Sequence, residues 1–374
     1  MIKHNFKNSA AVMFCHNDYP KRYDFLDNLK WVLTILVILH HAAALAGLDP
    51  MGFNLPKVIP SAQWQYNVLS AFQANNQSFF MGIFFFVSAF FVVSSYQRKG
   101  AILFIADKFK RLGIPTLIWL FVVLPLMALA VSSNYALNNI TGLLKTAQID
   151  LGVTWFCWTL IVFNLIWLLL AKLTRKNMMI DQSQPIPAIW KIILLGIIMI
   201  PFNLFGLFMQ NKLGENFLGF HLLGYFPMYI TMFFLGIYAY RFKWMDQIEF
   251  KHAFAGIVLW IFVRAYLMPA LSGYNFNAYV ALRGFTVIGM SLFLIYTFKI
   301  LFNHKSKWTM VLSRSAFAAY VFQIPVLFIM TKIYQPFMTQ VPLLNFLVIA
   351  VPSIMLSFSF GYLICKTPFL KRVF

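Results

Sequence analysis

Long apolar segments alternate with short polar connections from residue 29 to residue 364. Ten segments are apolar over about 18 residues or more, the length that a helix needs to cross a hydrocarbon core of ~30 Å. The predicted spans are 29–47, 79–96, 114–133, 153–171, 189–209, 221–240, 252–270, 279–302, 315–334 and 343–364. The pattern therefore predicts an all-α polytopic membrane protein with about ten transmembrane helices.

Lysine and arginine are distributed unevenly among the connections between these spans. Every second connection, beginning with the N-terminal tail, carries several basic residues, whereas the intervening connections carry one or none. Basic residues are retained on the cytoplasmic side of a membrane, so both termini are predicted to be cytoplasmic. We predict a cytoplasmic tail at 1–28, a single ten-helix domain at 29–366 and a short basic tail at 367–374.

Composition and charge further restrict the class of protein and its expected partners. The chain is 61% hydrophobic and only 11% charged, which argues against a soluble enzyme. The net charge of +20 is spread over short connections rather than one face, so nucleic acid is not an expected partner. Cys15, Cys157 and Cys365 are far apart in the sequence, and we expect neither a disulfide framework nor a bound metal. The first residues lack the apolar core of a cleaved signal peptide.

The first predicted span carries three polar residues, Lys30, His40 and His41. Lys30 and His41 are eleven residues apart, close to three helical turns and ~16 Å, so they share a helix face, whereas His40 points about 100° away. A histidine inside a membrane helix indicates either a functional site or hydrogen bonding between helices. We expect His41 to carry chemistry and His40 to orient its neighbour or to join two helices.

The acidic residues limit which chemistry His41 can support. None of the ten Asp and Glu residues lies deep inside a predicted span. Ion-driven transport, which usually relies on intramembrane carboxylates, is therefore less attractive. A neutral imidazole that acts as a general base on a hydroxyl group fits the sequence better.

A second group of candidate residues follows the second span in a basic, amphipathic segment. Lys108 and Arg111 are three residues apart and share a helix face, with Lys110 beside them. They are either ordinary positive-inside residues on an interfacial helix or a clamp for the phosphate groups of a cytoplasmic cofactor.

Several motifs, taken in order, resemble the acyltransferase 3 family of membrane acyltransferases, and within it the glucan succinyltransferase branch. Lys30, ten residues and His41 are similar to the family's first-span pattern, and a basic pair precedes the segment RLGIP. The phenylalanine-rich second span is similar as well. The resembling segments are FFMGIFFFVSAFF, WFCWTLIVFNLIW, FPMYITMFFLGIYAYRFKWMD and SRSAFAAYVFQIPVL. The chain departs from the family at Lys30, Gln323 and Arg283, where the family commonly has Arg, His and an acid.

The resemblance implies a bacterial inner-membrane enzyme that carries an acyl group from cytoplasmic acyl-CoA to a glycan or glycolipid on the far side. It implies that acetyl-CoA or succinyl-CoA is the acyl donor. His41 would be the catalytic residue, and Lys30, Lys108 and Arg111 would hold the CoA phosphates.

Four further residues are candidates for substrate binding. Arg264 and Arg283 lie in the predicted outer halves of their spans, where they either anchor helix ends or meet an anionic acyl group or acceptor. Trp155 and Gln323 either line a path for a sugar or pack between helices.

Two other functions stay open from the sequence alone. The first alternative is that the chain is a transporter or flippase of an acidic or lipid-linked glycan, in which the basic residues contact the substrate. It would otherwise be a non-catalytic membrane subunit, an alternative suggested by Gln323 and Arg283. Binding of acyl-CoA distinguishes the acyltransferase from the transporter.

Overall fold

The computed structural model describes residues 23–48, 62–130, 135–174, 183–272 and 277–374. Most of the predicted N-terminal tail, Cys15 and the part of the next connection that contains Lys57 lie outside these residues. The limits of the predicted domain, 29–366, stay a prediction.

The described residues form helices joined by short turns, and they contain no β-strand. The first nine helices are α1 (Asp24–Ala43), α2 (Gln63–Gln77), α3 (Phe80–Phe90), α4 (Val92–Lys108), α5 (Ile114–Ile118), α6 (Leu124–Ala130), α7 (Tyr135–Thr146), α8 (Trp155–Leu173) and α9 (Ile189–Leu213). The remaining eight are α10 (Phe226–Arg241), α11 (Trp244–Gln247), α12 (Phe250–Phe262), α13 (Met268–Ser272), α14 (Ala278–Ala281), α15 (Arg283–Leu301), α16 (Lys307–Tyr334) and α17 (Pro342–Lys366).

Nine stretches of helix within the described residues are long and apolar enough to cross a membrane. They confirm the predicted all-α polytopic fold.

The predicted span 79–96 coincides with α3 and the start of α4, which are separated by a break at Phe91. Gly100, with φ of 69°, then turns the chain inside α4. Because a left-handed φ is unfavourable for residues with a Cβ, glycine suits this turn.

The phenylalanine-rich helix α3 lies in the core of the bundle. Its side chains at Ile83, Phe85 and Ala89 are fully buried. The helix packs closely against α10 at Gly236, where a Cβ would collide with the carbonyl oxygen of Phe86. Small residues allow membrane helices to approach closely, so Gly236 lets α10 contact the α3 backbone.

The first helix, α1, is surrounded by other helices and packs against α15, α16 and α17. Near its start, the Asn28 amide donates hydrogen bonds to the carbonyl oxygens of Phe302 and His304, at 2.6 and 3.0 Å. The Ser313 hydroxyl donates to the carbonyl oxygen of Asp27. These bonds hold the start of α1 against the basic connection between α15 and α16.

The opposite end of the bundle is formed by two connections that pair with each other. The Leu218 amide donates to the carbonyl oxygen of Ala147 at 2.7 Å, and the Ile149 amide donates to that of Asn216 at 3.1 Å. The Gln148 side-chain amide also donates to the carbonyl oxygen of Leu213. Both connections are among those poor in lysine and arginine, so this end is called the outer end below.

Candidate active site

A cavity of about 530 Å³ lies between α1 and the paired outer connections. Its polar lining residues are His40, His41, Gln73, Gln77, Asp150, Glu215 and His221. Its aromatic lining residues are Phe80, Trp119, Trp155, Tyr225 and Tyr320. A largely apolar cavity with a few convergent polar groups is typical of a small-molecule site.

His41 is placed in this cavity by α1 and is oriented by α16. Its Nδ1 lies 3.2 Å from Oε1 of Gln323, which is fully buried. The Gln323 amide nitrogen donates to the carbonyl oxygen of Tyr320 at 3.0 Å. A carbonyl can only accept, so this bond directs the amide oxygen toward His41. Nδ1 must then carry the proton, which leaves Nε2 unprotonated in the neutral ring.

His40 also lines the cavity, although helix geometry predicts that it points away from the face of His41. The two rings lie edge to face with centroids 5.6 Å apart, and His40 stacks on Phe80 at 5.2 Å. The cavity thus borders more than one face of α1, because Val37, His40 and His41 all line it. The Gln73 side chain donates to the His40 carbonyl oxygen at 2.9 Å and joins α2 to α1.

Two carboxylates and a third histidine line the outer part of the cavity. Nε2 of His221 lies 3.8 Å from Oε1 of Glu215, and its Nδ1 lies 2.6 Å from Oδ1 of Asn216. Burial lowers the pKa of His221 below its ordinary value, while the charges of Asp150 and Glu215 raise it and offset part of that change. His221 is therefore neutral at neutral pH.

Trp155 begins α8 and forms part of the cavity wall. Its side chain is 7% exposed and its ring centroid lies 5.8 Å from that of His221. Its position in the cavity is compatible with the predicted role in substrate binding, which stays a prediction.

The three residues predicted to bind the cofactor lie away from this cavity, toward the basic end of the bundle. Nζ of Lys30 lies 3.2 Å from Oδ1 of Asp27 and 4.3 Å from the centroid of the Phe91 ring. Lys108 is near enough to both Lys30 and Arg111 to feel their charges. The structure thus brings these three cations together.

Asp107 offsets part of the positive charge of this cluster. Its carboxylate lies 2.7 Å from Nζ of Lys99 and 3.2 Å from Nε of Arg111. Arg111 remains well exposed. The role of the cluster in binding phosphate stays a prediction.

Arg264 and Arg283 have protein partners and do not line the cavity. Nε of Arg264 donates to Oδ1 of Asn75 at 2.8 Å. Arg283 donates to the carbonyl oxygen of Gly224 at 3.2 Å, and its guanidinium lies 3.2 Å from the centroid of the Tyr225 ring. Among the residues that the structure describes, the cavity lining includes no lysine or arginine. Substrate binding by either arginine stays a prediction.

Sequence reasoning did not select Asp150, Glu215, His221 or Trp119 as site residues. Asp150 and Glu215 lie in predicted connections and His221 at the first residue of the predicted span 221–240, where apolar periodicity gives no information about contacts. Their approach depends on the pairing of residues 147–149 with 216–218, which are about 70 positions apart in the sequence. The signal that was available is the presence of acids and a histidine in connections otherwise poor in charge.

The fold defines a helical membrane protein with a histidine-lined cavity between its helices. A family model described as an acyltransferase domain matches residues 23–364. The match covers most of the chain, which therefore belongs to the acyltransferase 3 family and is a membrane acyltransferase. No curated protein and no solved structure matches the chain. Membership of the family favours the acyltransferase hypothesis over the transporter and the non-catalytic subunit.

Proposed function

We propose that this acyltransferase moves an acetyl or succinyl group from cytoplasmic acyl-CoA to a hydroxyl group of an extracytoplasmic glycan or glycolipid. The enzyme would act in the inner membrane of a bacterium, with its basic end in the cytoplasm. The observation that carries the proposal is the position of His41, which lines the cavity while Gln323 holds its Nδ1.

The chemistry follows from the tautomer that Gln323 selects. Nε2 of His41 removes the proton from the acceptor hydroxyl as the hydroxyl oxygen attacks the thioester carbonyl. The new C–O bond forms, the C–S bond breaks, and the proton passes from His41 to the departing CoA sulfur. A positioned base of this kind accelerates a reaction by about 10²- to 10⁴-fold.

The basic end of the bundle supports a cytoplasmic donor. Lys30, Lys108 and Arg111 form a group of cations at the opposite end of the bundle from the outer connections. Clustered cations bind phosphate groups through charge-assisted hydrogen bonds. The cavity lining on α1 begins at Val37, seven residues or ~10 Å beyond Lys30, so the acyl arm of CoA would have to pass between packed helices.

Transfer by the purified protein in lipid nanodiscs tests the proposal. We expect His41→Gln to lower the rate of label transfer from acyl-CoA to glycan by at least about 10²-fold, because it removes the base. His304→Gln is the matched control, since His304 is exposed and lies outside the cavity. Unchanged transfer by a His41→Gln protein with normal thermal unfolding would exclude His41 as the base.

A further inference from the structure

The outer part of the cavity contains a group of residues that the transfer chemistry does not use. Asp150, Glu215 and His221 are called the acidic rim here, and all three line the cavity that contains His41. Whatever accepts the acyl group must meet these side chains if it enters from the outer end. The inference therefore rests on the proposed function and concerns the choice of acceptor.

The backbone of Asp150 is held in place by hydrogen bonds. The Asn139 side chain donates to the Asp150 carbonyl oxygen at 2.9 Å and accepts from the Asp150 amide at 2.7 Å. Oδ1 of Asp150 accepts from the Gly152 amide at 2.7 Å. These bonds fix the position of the Asp150 backbone and of its carboxylate in the cavity lining.

Glu215 and His221 form the other side of the acidic rim. The Asn216 amide donates to Oε1 of Gln148 at 3.0 Å, which holds the segment that carries Glu215 against the Asp150 segment. Both acidic residues consequently line one cavity. Ionised carboxylates only accept hydrogen bonds, so a ligand that binds them must supply donors such as hydroxyl groups.

An unpartnered donor lies beside the acidic rim. The Trp119 side chain is 3% exposed, and its indole N–H has no hydrogen-bond partner among the described residues. The indole nitrogen lies against Gly152, two residues after Asp150, where an added Cβ would collide with it. A buried donor without a partner is unfavourable, and Trp119 lines the cavity, so a ligand oxygen there would satisfy the N–H once the indole shifts away from Gly152.

Donors and acceptors thus occur together next to an aromatic surface. The acidic rim accepts hydrogen bonds, Trp119 donates one, and Trp155 contributes an apolar ring surface beside His221. A sugar offers the matching chemistry, because each hydroxyl both donates and accepts and the ring has apolar faces. A phosphate, sulfate or carboxylate lacks donors when ionised and is repelled by the two carboxylates.

We propose that the acidic rim and Trp119 select an uncharged polyhydroxyl acceptor and reject glycans that carry anionic groups at the sugar to be acylated. Arg264, which is bonded to Asn75, and Arg283, which is bonded to Gly224, do not line the cavity beside the acidic rim.

Binding of oligosaccharides in the absence of acyl-CoA tests this selection. The full-length protein in nanodiscs is titrated with a neutral glucan oligosaccharide and with the same oligosaccharide after carboxymethylation. We expect the neutral form to bind at least about tenfold more tightly to the wild-type protein. Asp150→Asn combined with Glu215→Gln should bring the two dissociation constants within about threefold of each other, because it removes both charges.

Two further variants keep the test decisive if the double variant folds poorly. Glu215→Gln alone changes a half-exposed side chain and should reduce the preference for the neutral form. Glu249→Gln should leave it unchanged, because Glu249 is exposed and bonded to Lys251 outside the cavity. Trp119→Phe should weaken binding of the neutral form by removing the donor.

The outcomes separate this inference from the proposed function. Equal affinity for both oligosaccharides in the wild-type protein, or a preference that persists in Glu215→Gln and in the double variant, would overturn the inference. Failure of both oligosaccharides to bind would overturn it as well. Acyl transfer by the His41 variants is measured separately, so loss of selection leaves the proposed reaction to its own test.

Discussion

At the scale of single residues, the geometry of the site depends on which atoms of each polar side chain are already in hydrogen bonds with the protein. Gln323 donates to Tyr320 and accepts from His41, so one buried amide fixes both its own orientation and the tautomer of the imidazole. The family resemblance associates this position with histidine. The geometry gives glutamine a defined role there as a residue that positions His41.

Replacing Gln323 by methionine tests this role. Methionine is similar in volume but cannot accept the Nδ1–H bond, so the ring of His41 loses its fixed tautomer and orientation. We expect transfer to fall by about 10²-fold, since a small displacement of a catalytic group is enough for such a loss. The measurement is the rate of acyl transfer across a range of pH, because a change of tautomer also alters the pH profile.

Thr331→Val is the matched control for Gln323→Met. Thr331 is also fully buried on α16, but its hydroxyl bonds only to the carbonyl oxygen of Leu327 in its own helix. The control should retain transfer. Equal losses in the two variants would mean that Gln323 acts through packing and not through His41.

Gly152 provides a second prediction at this scale. Its φ is 49°, and an added Cβ would collide with the ring of Trp119. Gly152→Ala should therefore lose about 1–3 kcal/mol from backbone strain and shift the indole away from the acidic rim. We expect a lower unfolding temperature and a changed tryptophan emission spectrum.

Gly113→Ala controls for the loss of a glycine alone. Gly113 is helical and its Cβ would make only ordinary contacts of 3.7 Å or more. The control should be as stable as the wild type or slightly more stable. A Gly152→Ala protein that matches it in stability and emission would contradict the packing of Trp119 on Gly152.

At the scale of helices and connections, the sequence predicts the long apolar helices well because hydropathy alone identifies them. Helix α2 was not predicted, since Gln63–Gln77 is too polar for a span and lies in a connection. The acidic rim was also missed, because it forms only when residues 147–149 pair with 216–218. His41 and Trp155, which the sequence singles out, line the cavity, and each lies on a span whose position was predictable.

The connection that carries His221 should make the protein sensitive to acid. Burial lowers the pKa of His221 in the folded protein, so below pH ~6.5 the unfolded state binds more protons and is favoured. Stability should therefore fall as the pH decreases from 7.5 to 5.5, by at most about 1.4 kcal/mol per pH unit from this residue.

His221→Gln isolates this contribution, because glutamine does not titrate. The unfolding temperature of the wild type should decrease more than that of His221→Gln over the same pH interval, with both proteins in the same detergent. Parallel decreases would show that other groups cause the acid sensitivity.

At the scale of the whole molecule, the basic connections and the outer connections lie at opposite ends of one helical bundle. At one end, Asn28 donates hydrogen bonds to Phe302 and His304, which join two segments rich in lysine and arginine. At the other end, Gln148 donates to Leu213, which joins two connections with few lysine and arginine residues. The proposed reaction needs this polarity, because the donor and the acceptor are on different sides of the membrane. His41, about three turns beyond Lys30, lies between the two ends.

Labelling with a membrane-impermeant maleimide tests the orientation in intact cells. The starting protein carries alanine in place of Cys15, Cys157 and Cys365, and each test protein carries one new cysteine. Lys145→Cys and Lys212→Cys place it at exposed positions of the outer end, whereas Lys305→Cys and Lys307→Cys place it at exposed positions of the basic end.

We expect the two outer-end cysteines to react in intact cells and the two basic-end cysteines to react only after permeabilisation, because basic connections are retained in the cytoplasm. Reaction in permeabilised cells is the control for accessibility of all four positions. The reverse pattern would place Lys30, Lys108 and Arg111 outside the cell, where they would have no access to cytoplasmic acyl-CoA. The acyl donor would then have to come from outside the cell, and the acidic rim would face the cytoplasm. Both the direction of acyl transfer and the side that supplies the acceptor would be the reverse of those proposed.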